Sequence, residues 1–139
     1  MNQIFAFVAS GLALLLALPG EPAHAQGSAT LPGAAGEAPF ASVLGRWMRP
    51  DGGYVINIRS VDARGRLQAD YANPNPLPFA KAEATRDGKI IRLFFELRAG
   101  GYNGSTYTLT YDPASDSLKG VYYQAVAQQK FDVYFMRAR

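Results

Sequence analysis

The sequence predicts an all-β domain: an eight-stranded antiparallel up-and-down β-barrel that follows a signal peptide and a flexible N-terminal tether. Three observations carry that prediction. Apolar residues recur at every second position from Tyr54 onward, the period of a strand with one buried face. Turn-forming clusters such as Asp62-Ala63-Arg64-Gly65 and Arg86-Asp87-Gly88-Lys89 interrupt the alternation at short intervals. The run opens on Gly45-Arg46-Trp47, which holds the only tryptophan, and closes on Phe135-Met136-Arg137. That arginine is suited to cover the tryptophan if the first and last strands meet.

The chain divides into three parts. Ile4 to Leu18 is apolar, is broken by Pro19-Gly20, and leads to Ala23-His24-Ala25, a small-x-small cleavage pattern. The run is too short for a membrane span and no later segment repeats it. Residues 1–25 therefore read as an export signal cleaved after Ala25, although Met1-Asn2-Gln3 lacks the usual Lys or Arg. The mature protein is then periplasmic or secreted. Residues 26–40 are mostly Gly, Ala, Pro and Ser, with Glu37 the single charge, and read as a flexible linker. Residues 41–139 form the β-barrel domain, near the lower size at which one core suffices. There is no cysteine, so export is not exploited for disulfides.

The strands follow in order. A short first strand holds Trp47. Tyr54, Ile56 and Ile58 then face inward against Asn57 and Arg59, and after the turn at Asp62–Gly65 the inward set is Leu67, Ala69 and Tyr71. Asn73-Pro74-Asn75-Pro76-Leu77-Pro78 has three residues without an N–H donor and is expected to be a stiff connecting loop. Ala80, Ala82 and Ala84 alternate with Lys81 and Glu83, and an Asp-Gly hairpin leads to Ile91, Leu93, Phe95 and Leu97. A Gly-rich loop, Ala99–Gly104, precedes the row Tyr107, Leu109 and Tyr111, and a turn containing Pro113 precedes Leu118, Gly120 and Tyr122. The reversal Ala125–Gln128 gives way to Phe131, Val133 and Phe135. Hairpins in sequence make a meander, and eight strands suffice to close it. The expected outer face carries Arg59, Lys81, Glu83, Arg92, Glu96 and Asp132, which argues against a membrane-embedded barrel.

Gly45-Arg46-Trp47, the run from Gly65-Arg66-Leu67 to Tyr71, and the closing Phe135-Met136-Arg137 resemble the calycin superfamily of lipocalins and avidins. In such barrels the tryptophan of a G-x-W on the first strand packs against an arginine at the end of the last, a pair that Trp47 and Arg137 match. The resemblance implies a closed barrel, and the order of the turns is closer to avidins. Biotin is nevertheless not expected. Arg49 and Gly53 stand where avidins hold the ureido group with Asn and Ser, and only Tyr71 matches the tyrosine that donates to the ureido oxygen. The tryptophans of the biotin cage have no counterpart.

Composition removes several chemistries. His24, the only histidine, lies in the signal segment, so the mature domain lacks the means for Ser-His or Cys-His catalysis and for Cys- or His-ligated metal sites. No carboxylate falls on an expected inward position, and no phosphate-cradling glycine loop leads into a helix. No catalytic residue, cofactor or metal is therefore assigned. A balance of 14 basic to 11 acidic residues is a mild positive bias, with nucleic acid not expected as a partner.

Two function classes remain. Tyr54, Tyr71, Phe95, Tyr107, Tyr111 and Tyr122 are candidate ligand-binding residues, because buried hydroxyls need partners and small barrels either hold one ligand or fill with side chains. A regular meander brings Arg49, Asp51, Asn73, Asn75, Tyr102 and Asn103 around one end, and Arg49, Asn73, Tyr102 and Asn103 join the candidate set. The first expectation is an exported, non-catalytic protein that binds a small, partly apolar ligand. The alternative is an envelope interaction module, an inhibitor or accessory subunit that engages a protein through that loop end; barrels with a G-x-W start also serve as protease inhibitors. Ile90, Phe94, Val121 and Tyr123 on the outer face offer a surface for a homo-oligomer.

Overall fold

The computed structural model describes residues 38–139. The expected signal peptide lies outside the described residues, as does most of the expected linker. Its last residue, Phe40, is buried in the core rather than part of a tether.

The domain is all-β. Nine antiparallel strands form one curled sheet: β1 (Gly45–Met48), β2 (Val55–Val61), β3 (Leu67–Ala72), β4 (Pro76–Pro78), β5 (Lys81–Asp87), β6 (Ile90–Leu97), β7 (Ser105–Asp112), β8 (Ser117–Gln124) and β9 (Gln129–Arg137). Their order is β4-β3-β2-β1-β9-β8-β7-β6-β5, so the first strand lies beside the last. The only helical turns among the described residues are short 3-10 turns at Ala41–Val43 and Ala99–Gly101. No helix among them is long and apolar enough to cross a membrane.

The count is nine strands rather than eight because of Pro76–Pro78. These residues pair with β3 in the register Tyr71↔Leu77, where a connecting loop was expected. Proline cannot donate to a ladder on both sides, but β4 has a neighbour on one side only, which is where a sheet tolerates proline.

Curling brings the start of β3 to β5. Ala84 N–H donates to Gly65 O at 2.6 Å, and Arg66 bridges Glu83. The two ends of the sheet are thus tied by a short link, not by a continuous ladder. Gly65 is required for it: its φ is +82°, and a Cβ there would stand 2.0 Å from Ala84 O.

Period-two alternation places the core. Ile56, Ile58, Leu67, Tyr71, Ala84, Ile91, Leu93, Phe95, Leu97, Tyr107, Leu109, Leu118, Val133 and Phe135 are all buried, as the expected inward rows require. Ala80 and Phe131 are exposed, and Tyr54, Tyr111 and Tyr122 are half-buried, because these positions lie at the ends of their rows or on the rim. Ala69, Ala82 and Gly120, within their rows, are half-buried too. Of the outer apolar set, Phe94 and Val121 both flank Thr108 in register, while Ile90 is 45% exposed at the start of β6.

Trp47 and Arg137 are direct partners across β1 and β9. The guanidinium lies 4.3 Å above the indole, and Trp47 Nε1–H donates to Val43 O at 2.9 Å. Arg137 donates to Leu44 O, to Ser42 O and to both carboxylate oxygens of Asp116. One side chain thereby satisfies the carbonyls of the chain entry and caps one end of the curl.

Candidate functional site

The two ends of the curl differ. Toward the Arg137 end, Trp47, Leu118 and Phe135 are buried, and a cleft of about 350 Å³ lies between Ser42, Arg86, Ile91, Tyr111 and Pro113. At the other end, a cavity of about 360 Å³ opens, lined by Arg49, Tyr54, Tyr71, Asn73, Tyr102, Tyr107, Tyr122, Gln124 and Phe131. An adjoining cleft of about 370 Å³ shares Asn73, Tyr102, Tyr122 and Gln124, and continues over Asn75, Leu77, Ser105 and Val126.

Arg49 is placed by the β1–β2 hairpin, which closes through Arg49 N–H to Tyr54 O at 2.9 Å and Gly53 N–H to Arg49 O at 3.2 Å. Its side chain is only 11% exposed. Nη1–H donates to the Tyr107 hydroxyl at 3.2 Å, while Nε and Nη2 grip the two Asp51 oxygens at 2.9 and 2.6 Å. The guanidinium also lies 4.6 Å over the Tyr54 ring. That geometry combines a bidentate ion pair with a cation–π contact, and lysine could not supply both.

Beneath Arg49 the hydroxyls form a chain. The Tyr71 and Tyr107 oxygens are 3.1 Å apart and buried. Either can donate to the other, and the Tyr102 hydroxyl is a further partner of Tyr71. Burial raises the pKa of Tyr71 above the ordinary phenol value. Burial also pushes Tyr107 up to about 12, against hydrogen bonds from Tyr71 and Arg49 that favour its anion. Burial raises Tyr122 as well. These hydroxyls are therefore neutral donors at neutral pH. For Arg49, burial alone would lower the pKa, but hydrogen bonds to Asp51 and Tyr107 outweigh it and hold the group above its ordinary value. Arg49 in turn holds the Asp51 carboxyl below the usual range.

The loops are tied to one another at the rim. Asn73 Nδ2–H donates to the Tyr102 hydroxyl at 2.9 Å, joining the β3–β4 turn to the Gly-rich loop. Ser105 Oγ–H donates to Tyr102 O at 2.7 Å and accepts from Ala125 N–H at 3.0 Å, which brings in the β8–β9 hairpin. The Tyr107 and Tyr122 rings stack at 4.6 Å, and Tyr122 faces Phe131 at 6.3 Å. The result is an aromatic cup with hydroxyl and amide donors around its wall.

Most of the residues read as ligand-binding from the sequence meet here: Arg49, Tyr54, Tyr71, Asn73, Tyr102, Tyr107 and Tyr122. Three do not. Phe95 is wholly buried beneath the cup, packed on Phe79 at 4.7 Å. Tyr111 lies at the opposite end, donating to Asp116 Oδ1 at 3.2 Å and meeting Trp47 edge-on. Asn103, at φ +52°, serves the backbone of its turn and lines neither cavity. Gln124 was missed, and Phe131 was placed on an inward row but not among the candidate binding residues. Both flank the Ala125–Gln128 reversal, which strand counting already puts at the same end as Asn73, so the signal was present.

Comparison with family models, with curated proteins and with solved structures finds no match to this chain.

Proposed function

We propose that the protein is an exported, non-catalytic binding protein that holds a small, partly apolar ligand in the cup at the Arg49 end. The observation that carries this is the convergence of Arg49, Tyr54, Tyr71, Asn73, Tyr102, Tyr107 and Tyr122 on one open cavity of about 360 Å³. Apolar walls with a few convergent polar groups are the usual make-up of a small-molecule site. The rings supply area, and the hydroxyls of Tyr71, Tyr102 and Tyr107, together with Asn73 and Gln124, supply direction. Binding is preferred to catalysis because the lining carries no carboxylate and no base, only one arginine and neutral hydroxyls and amides. The same reading takes the chain as a calycin-type barrel, supported by the Trp47–Arg137 contact and by the meeting of first and last strands.

Native mass spectrometry of protein purified from its own host, followed by a thermal-shift screen of small aromatic and carbonyl compounds, tests this reading. A retained small molecule, or compounds that raise Tm more in the wild type than in Tyr107→Phe, are expected. A screen in which nothing raises Tm, with no retained mass, overturns it.

A protein partner at the same rim is the second reading, favoured by Val126 at 66% and Phe131 at 43% exposed on the β8–β9 hairpin. Val126 lines the adjoining cleft but not the cup, so Val126→Ser would weaken capture of such a partner and leave small-molecule binding in the cup largely intact.

A further inference from the structure

The charge pattern of the cup is unusual for a chain with a formal net charge of +3. Of all the residues lining the cavity, only Arg49 is charged, and the adjoining cleft is lined by no charged residue at all. Arg49 is moreover already engaged. Asp51, at the tip of the β1–β2 hairpin, takes its Nε–Nη2 edge with both carboxylate oxygens. The remaining N–H groups lie on the terminal nitrogens, where Nη1 already donates to Tyr107. The cup therefore offers donors from Arg49 without offering net positive charge.

We propose that Asp51 sets the charge selectivity of the cup: the ligand presents a neutral carbonyl or hydroxyl oxygen to Arg49 and the tyrosine hydroxyls, and carboxylates are disfavoured. This rests on the reading above that the cup holds a small molecule. A ligand carboxylate at the free edge of Arg49 would place a second anion on a guanidinium that already carries one, and the two would repel across it. A neutral oxygen meets the same donors with no such penalty. Asp51 is itself 61% exposed, so solvent weakens the repulsion; an effect of about tenfold is expected rather than complete exclusion. The hairpin that carries Asp51 is thus a specificity element, although Asp51 itself lines neither cavity.

The test uses a matched pair of probes, naphthylacetamide and naphthylacetate, titrated calorimetrically at neutral pH and low salt. The proteins are wild type, Asp51→Asn, Asp51→Ala and Asp62→Asn, each checked for fold by circular dichroism. Asp62 sits in the turn at the far end of β2 and controls for net charge alone. The expected result is that the wild type binds the amide about tenfold more tightly than the acid. Both Asp51 variants should bring the acid level with the amide or tighter, while Asp62→Asn matches the wild type. Equal binding of the two probes by the wild type, or an equal gain for both on replacing Asp51, overturns the selectivity proposal and leaves the cup reading standing. Failure of every variant to bind either probe overturns both.

Discussion

Tyr107 joins the two halves of the interior. Its ring meets Phe135 edge-on at 5.3 Å and stacks on Tyr122, while its hydroxyl accepts from Arg49 and faces Tyr71. Tyr107→Phe keeps the packing and removes the hydroxyl. Stability is expected to fall by about 1 kcal/mol in urea titration, the net worth of a buried hydrogen bond, and ligand affinity by about tenfold. Arg137 is the opposite case, a structural arginine at the other end. Arg137→Lys retains the charge but loses the fork that spans Asp116 and the carbonyls of Ser42 and Leu44. About 2 to 3 kcal/mol of stability should be lost. Trp47 is the only tryptophan, so its fluorescence reports directly on the loss of this cap, with a red shift as water reaches the indole.

Among the elements, the link between β3 and β5 depends on Gly65. Gly65→Ala would put a methyl group against Ala84 O at a positive φ. We expect a loss of about 3 kcal/mol by chemical denaturation. Gly88→Ala, in the β5–β6 turn at φ +59° with nothing within 4 Å of its Cβ position, should cost only about 1 kcal/mol. Equal losses in the two variants would mean that the Gly65–Ala84 contact contributes nothing beyond turn geometry. The prolines of β4 belong to the same scale. They were read as excluding a central strand and so as a connecting loop; an edge strand meets the same constraint, and nothing local in the sequence distinguishes an edge strand from a loop.

For the whole molecule, both ends of the pH scale should reveal the two halves of the interior. Burial raises the folded-state pKa values of Tyr71 and Tyr107. Each therefore contributes stability that is fully present below the ordinary phenol value near 10 and is lost as pH rises through the folded value, about 12 for Tyr107. Ultraviolet titration should show the exposed tyrosines ionising first, with the last absorbance change coinciding with unfolding. On the acid side, the Arg137 hydrogen bond is the main cause that holds the Asp116 carboxyl below its ordinary value of 3.8. A depressed folded-state value gives stability that is present above the unfolded pKa and lost as pH falls through the folded one. Asp116→Asn should accordingly flatten the decline in Tm below about pH 4.

Alternation with a period of two was enough to assign most buried side chains, though not Phe40, Val43, Val55, Ser105 or Ser117, and the Gly-x-Trp opening with its closing arginine was enough to bring β1 beside β9. Both are properties of covalent order: a strand turns successive residues to opposite faces whatever surrounds it. Alternation gives the face of a residue but not its height along the curl. Tyr71, Phe95 and Tyr111 share the inner face, yet one lines the cup, one lies beneath it and one caps the far end. Height depends on strand stagger, and stagger depends on partners distant in sequence. For the same reason only tertiary structure decided which inward residues gather around the cup, and that Asp51 pairs with the single charge on its wall.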